Sequence, residues 1–154
     1  MQVNFLAVLV CGIVSMVIGF VWYGPLFGKK WMEVVGATAM DVEKRKKMQK
    51  AAGPLYLVQF LLTLFQAYIL AYSINVWYLF TYGSGGVLDA ANVSTSVGVK
   101  AALLFWAAFI MPIVAVSSMW NNDSKKIAWT RFLLQAGYQL ILFVVFGLIL
   151  SYWK

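Results

Sequence analysis

The chain has 154 residues, of which 63% are hydrophobic and only 11% are charged, and its net charge is +7. Soluble domains average about 45–50% apolar and about 25% charged residues, so the composition excludes an ordinary soluble domain and predicts an integral membrane protein. The basic residues lie between long apolar runs, which argues against a nucleic-acid partner. With a single cysteine and no histidine, the sequence predicts no metal site and no cofactor.

Four apolar segments reach the roughly 20 residues that a transmembrane helix needs. In chain order they are residues 5–27, 54–80, 100–120 and 128–153. The first run is too long for the apolar part of a signal peptide, so we expect it to remain as the first span. No segment alternates as the strands of a membrane barrel do. The sequence therefore predicts an all-α fold, with residues 1–154 forming a single domain that is an integral membrane four-helix bundle.

The connections between the spans differ in character. The first is a basic loop at residues 28–52, in which Asp41 to Ala52 is rich in charge and free of Gly and Pro. This stretch predicts a short charged cytoplasmic helix between spans 1 and 2, capped by Asp41. The Gly53-Pro54 pair is then expected to begin the second span. Residues 81–99 are mostly small and polar and predict a loop, and residues 121–126 predict a tight turn.

The basic residues also predict the orientation of the chain. Seven lie in the first connection and three around the third, so ten of the twelve share one side of a four-span bundle. By the positive-inside rule, this side is cytoplasmic and both termini are non-cytoplasmic. The basic loop is expected to contact anionic lipid.

Polar residues within the spans form the candidate ligand site. On the second span Gln59, Thr63 and Gln66 are spaced i, i+4, i+7 and share one helix face. The fourth span carries a similar row, which is Arg131, Gln135, Tyr138 and Gln139. Two interpretations remain open: hydrogen bonds that hold the helices together, or a cavity for a small ligand or a lipid headgroup. Arg131 either extends to the membrane surface or contacts an anion.

The stretch GFVWYGPLFGKKWM at residues 19–32 predicts a fixed turn at the membrane interface. The aromatic pair suits headgroup depth, and the Gly-Pro pair is expected to end the helix. The apolar residues beyond the break are expected to fold back into the interface and to direct the charged helix along the membrane surface. The residues of this turn are Trp22, Tyr23, Gly24, Pro25, Phe27 and Trp31. A second proline, Pro112, predicts a kink within the third span.

Two stretches carry a family resemblance. Residues 19–32 resemble the first-span signature of the domain-of-unknown-function family 1761, with matches at Gly19, Trp22, Tyr23, Pro25, Phe27, Gly28, Trp31 and Met32. Residues 135–153 resemble the closing helix of that family, with matches at Ala136, Gly137, Tyr138, Gly147, Leu150 and Trp153. Where the family carries Asn or Asp before its Ala-Gly-Tyr, this chain has Gln135. The resemblance implies four spans and no established activity, substrate or cofactor.

Catalytic groups are scarce in the sequence. The five acidic residues all fall in predicted connections, and no pair is placed for acid–base chemistry. We therefore expect no enzyme. The sequence favours an accessory or scaffold subunit of a membrane assembly, self-associating through glycine faces and partnered by the bilayer, by itself or by other membrane subunits. The alternative is an oligomeric protein that binds or transports a small ligand or lipid through the polar cluster.

Overall fold

The structure, a computed structural model, describes residues 3–82, 95–121 and 123–153. These residues form helices and no strand. The elements are α1 (Phe5–Val21), α2 (Gly28–Val34), α3 (Val42–Tyr82), α4 (Thr95–Phe105), α5 (Met111–Met119) and α6 (Lys125–Tyr152), with a 3₁₀ turn at Ala37–Ala39 and π turns at Trp22–Leu26 and Trp106–Ile110. Most of the predicted loop at residues 81–99 lies outside the described residues, but its last five residues belong to α4.

Four helical segments are long and apolar enough to cross a membrane. They are Phe5–Leu26, Val42–Phe80, Thr95–Met119 and Lys125–Tyr152. The predicted all-α class with four helices of spanning length is confirmed. Large apolar side chains cover the outside of these helices, and Phe20, Phe65 and Phe80 are 76%, 65% and 86% exposed. Such a surface is stable against hydrocarbon rather than against water.

The prediction of a separate charged helix is wrong. Residues 42–52 are helical, but they form the first three turns of α3, which runs without interruption from Val42 to Tyr82. The proposed start at Pro54 fails for the same reason, because this proline lies inside the helix. The helix accommodates it since Pro54 is exposed and follows Gly53, which has no Cβ to meet the proline ring.

The other two prolines lie within a π turn or directly after one. Pro25 sits inside the first π turn, where the Phe27 N–H donates to the Trp22 carbonyl at 2.9 Å. Gly24-Pro25 therefore widens the helix instead of ending it, and the segment ends at Phe27. Pro112 lies in the first turn of α5, directly after the second π turn. A proline at a helix start loses little, because its missing N–H would have no partner within that helix.

The helices pack as two pairs around a common core. α1 packs against α3, and α4 and α5 pack against α6. The largest of the fully buried apolar side chains are Leu70 and Ile74 on α3 and Leu142 and Phe146 on α6, and the smaller Cys11 on α1 lies with them in the core. α4 and α6 make the closest approach, at Gly98 and Gly147, where the two backbones touch. Small residues permit such contact between membrane helices.

Candidate functional site

Three of the predicted polar residues of α3 and one of α6 line a single pocket. Gln59, Thr63 and Gln66 face Gln139 across a cavity of about 560 Å³. The remaining walls are apolar and largely aromatic; they are Leu62, Phe65, Ile69, Leu70, Phe105, Phe109, Ile110 and Phe143. The i, i+4, i+7 spacing places the α3 residues on the face that turns toward α6.

The polar side chains of the pocket differ in whether they have a hydrogen-bond partner within the protein. The Thr63 hydroxyl donates to the Gln59 carbonyl at 2.8 Å, and the Gln59 amide Nε2 donates to the Thr63 hydroxyl at 3.3 Å. These two residues therefore satisfy each other within one turn. The Gln139 Oε1 atom is buried and accepts no hydrogen bond from a described residue. A buried carbonyl without a donor costs about 1–3 kcal/mol, so a hydrogen-bond donor that reached Gln139 would be stabilised there.

Among the residues that the structure describes, no charged side chain lines the pocket. An ion would have to leave water without a countercharge, which is costly in a low-dielectric site. The aromatic walls suit an apolar body, and the amides suit a polar end. The pocket is therefore matched to an uncharged amphipathic molecule that carries a hydrogen-bond donor.

The second π turn forms one wall of this pocket through Phe109 and Ile110. The turn is anchored to α6 by Trp106, whose indole Nε1 donates to the Ala136 carbonyl at 3.1 Å. Single-turn π segments inside α-helices are frequent at functional sites. The sequence did not identify Trp106 as part of the site.

Arg131 lies away from the pocket and has protein partners. Its Nη2 donates to the Val34 carbonyl at 3.1 Å, and its guanidinium forms an ion pair with Asp123. The side chains of Arg131 and Asp123 are 16% and 29% exposed. These bonds attach the end of α2 and the turn before α6 to the body of α6. Gln135 is half-buried one turn before Gln139 and does not line the pocket.

Tyr138 belongs to an aromatic cluster rather than to the pocket. Its hydroxyl donates to the Ser15 carbonyl at 3.3 Å, and its ring lies 5.2 Å from that of Tyr23. The turn residues join the same cluster: Tyr23 packs on Trp31 at 4.8 Å, and Trp22 packs on Phe27 at 4.5 Å, between ring centroids. Phe27 and Trp31 thus contact the aromatic pair that precedes the turn.

Trp22 repeats the arrangement of Trp106. It opens the first π turn, and its indole Nε1 donates to the Leu134 carbonyl at 3.1 Å. Two indoles from two π turns therefore hold α6 at carbonyls two residues apart. Spacing within the sequence gives no sign of this arrangement, because both partners lie on a distant helix.

The fold and the pocket define a bundle of four helices, each long and apolar enough to cross a membrane, with an uncharged cavity between α3 and α6. The chain belongs to the family described as "Protein of unknown function (DUF1761)", whose model matches residues 6–151. The resemblance drawn from the two ends of the sequence is thereby confirmed. No curated protein and no solved structure matches the chain.

Proposed function

We propose that this protein is an integral membrane protein that binds an uncharged amphipathic molecule in the pocket between α3 and α6. The observation that supports the proposal is the buried Gln139 Oε1 atom, which accepts no hydrogen bond from a described residue and belongs to a side chain that lines the aromatic cavity. The apolar part of the molecule packs against Phe65, Phe109 and Phe143. Its hydroxyl or amide N–H donates to Gln139. A binding role of this kind requires no catalytic group.

The proposed orientation follows the basic residues, with both termini non-cytoplasmic and the basic connections cytoplasmic. With the four helices spanning the bilayer, the exposed rim of the pocket would face the lipid. The ligand would therefore enter from within the bilayer. The exposed aromatic residues at its rim, including Phe65 and Phe109, support entry by an apolar molecule.

The accessory role is the second candidate, and the basic beginning of α3 favours it. Lys44, Lys46, Lys47 and Lys50 are all exposed, and only Lys47 forms an ion pair with a described residue, Glu43 at 3.6 Å. This surface suits anionic lipid or an acidic segment of another membrane subunit. Self-association would place several such surfaces on one assembly.

A matched pair of substitutions tests the pocket. Gln139→Leu removes the unpaired acceptor, whereas Gln135→Leu makes the same change one turn earlier, outside the pocket. The probes are dioctanoylglycerol, which carries one free hydroxyl, and its acetate ester, which has no donor. We expect the native chain and Gln135→Leu to bind dioctanoylglycerol about tenfold more tightly than the ester, because the buried acceptor is paired only by the alcohol.

Gln139→Leu is expected to lose this preference. Native mass spectrometry in mild detergent measures the bound fraction and the copy number together. Equal binding of alcohol and ester by the native chain, or equal effects of the two substitutions, would refute the pocket as the binding site. A complex that keeps a second protein subunit and neither probe would favour the accessory role.

A further inference from the structure

A second cavity lies at the end of the bundle where α6 begins. It has a volume of about 230 Å³ and lies as an open depression between α2 and the first two turns of α6, with exposed charged side chains in its walls. Its walls are formed by Lys30, Glu33, Val34, Lys126, Ile127 and Thr130. Two lysines from different helices therefore face one small space, with an apolar floor between them.

Neither lysine forms an ion pair in the part of the chain that the structure describes. The ion pairs found there are Lys47 with Glu43 and Arg131 with Asp123, and neither involves Lys30 or Lys126. Glu33 also lines the cavity, so the three charged side chains sum to one positive charge. The Thr130 hydroxyl donates to the Lys126 carbonyl at 2.8 Å, so its proton is already used.

The position of Lys30 opposite Lys126 is fixed by the bonds of Arg131. That side chain donates to the carbonyl of Val34, the last residue of α2, and is itself paired with Asp123. The Trp31–Tyr23 ring contact holds the other side of α2. The short helix is thus held at both faces, and the cavity exists before any ligand enters.

The backbone adds positive potential at the same place. α6 is 28 residues long, has no acidic residue in its first turn, and begins with two lysines. The N-terminal end of a helix carries a partial positive charge, which favours an anion. In α6 the Ser124 hydroxyl already accepts from the Ile127 N–H at 3.4 Å, so the contribution is the charge of the helix end. Basic side chains at this end are repelled by the partial positive charge of the helix, and a bound anion would offset that repulsion.

The geometry points to a binding site for a monoanionic phosphate ester in this cavity, with the ammonium groups of Lys30 and Lys126 on its oxygens. The net charge of +1 from Lys30, Lys126 and Glu33 matches the single negative charge of such a ligand. If the four helices cross a bilayer, the cavity stands at the depth of the headgroups, where such phosphates are abundant. Free inorganic phosphate carries the same charged oxygens as the lipid headgroup, and the competition experiment below distinguishes the two ligands.

The test uses two double variants of equal net charge. Lys30→Gln with Lys126→Gln removes the two lysines that line the cavity. Lys29→Gln with Lys125→Gln removes their sequence neighbours, which are exposed on the same two helices but do not line it. The probes are dioctanoyl phosphatidylglycerol and dioctanoyl phosphatidylcholine, titrated into the detergent-solubilised protein and counted as adducts by native mass spectrometry.

We expect the native chain to bind one phosphatidylglycerol in preference to phosphatidylcholine. The cavity variant should bind it at least about tenfold more weakly, because each lysine near an anionic lipid is worth about a factor of five. The neighbour variant should stay within about threefold of the native chain. Glu33→Gln should tighten binding severalfold, because it removes the like charge from the cavity.

Equal losses in the two double variants would overturn the proposal, since they indicate attraction by the basic surface as a whole. The absence of any loss, or of any preference for phosphatidylglycerol, would overturn it as well. Competition by millimolar inorganic phosphate distinguishes the sources. Displacement of the lipid identifies a site for the phosphate itself, whereas retention of the lipid identifies a site for the lipid ester. Both results support phosphate-ester chemistry in the cavity.

Discussion

Replacement of Gly147 with alanine tests the closest contact between two helices of the bundle. A Cβ atom at this position would lie 2.7 Å from the Gly98 carbonyl oxygen and 3.0 Å from the Ala102 Cβ atom. The first distance is about 0.7 Å short of the 3.4 Å at which ordinary contacts begin. The obstacle is backbone, so α4 must move away from α6 as a unit.

The cost follows from that movement. A gap of 0.5–1 Å loses about a quarter to a half of each dispersion contact along the interface. Overpacking of this kind costs about 1–3 kcal/mol. Alanine recovers about 1 kcal/mol through its higher helix propensity. Because the obstacle is backbone, the upper part of the overpacking range, about 2–3 kcal/mol, applies. Less the gain in helix propensity, we expect Gly147→Ala to lower the free energy of unfolding by about 1–2 kcal/mol.

Gly12→Ala is the matched control on α1. A Cβ atom there would also be crowded, at 2.5 Å from Leu64 Cδ2 and 2.9 Å from Phe60 Cε2. Those atoms are the ends of side chains that can rotate outward, so the change should cost less than about 1 kcal/mol. Unfolding by a denaturing detergent, followed through tryptophan fluorescence, measures both variants. The prediction is contradicted if Gly147→Ala is as stable as the native chain, or if Gly12→Ala lowers the free energy of unfolding as much as Gly147→Ala does.

Two further predictions concern the side chains that hold α6. Trp106→Phe and Trp22→Phe each remove one indole hydrogen bond to α6, worth about 0.5–1.5 kcal/mol, but only Trp106 anchors the wall of the pocket. We expect Trp106→Phe to weaken dioctanoylglycerol binding about threefold to tenfold in native mass spectrometry and Trp22→Phe to leave it unchanged; similar losses in both would contradict this. Arg131→Met should release α2 and speed tryptic cleavage after Lys29 about tenfold, without loss of dioctanoylglycerol binding. An unchanged cleavage rate would show that Arg131 does not hold α2.

The sequence predicted the elements of the fold whose signal is local. Long apolar runs fix the number of spanning helices, and the i, i+4, i+7 spacing fixes the shared face of Gln59, Thr63 and Gln66. These three residues do line one pocket. Gln139 joins them because α6 packs beside α3, which the spacing along one helix does not reveal.

Predictions from local sequence patterns fail where the surrounding fold, or a contact with a residue distant in the chain, decides the structure. Pro54 and Pro25 each predicted a helix boundary, yet α3 continues through the first and a π turn accommodates the second. Arg131 was grouped with the pocket because it shares a helix with Gln139. Its actual partner Val34 lies 97 residues earlier in the chain. A pattern read along one helix gives no information about such a contact.

The length of α3 links its two ends mechanically. At 1.5 Å per residue its 41 residues extend about 60 Å, twice the thickness of the hydrocarbon core of a bilayer. In a helix that crosses a bilayer, the charged turns would therefore extend beyond the hydrocarbon core, on the same helix that carries three polar residues of the pocket. A force applied at Lys44 or Lys47 is expected to be transmitted along this helix toward Gln59 and Gln66. The compliance of that lever is greatest at Pro54, where one backbone hydrogen bond is missing.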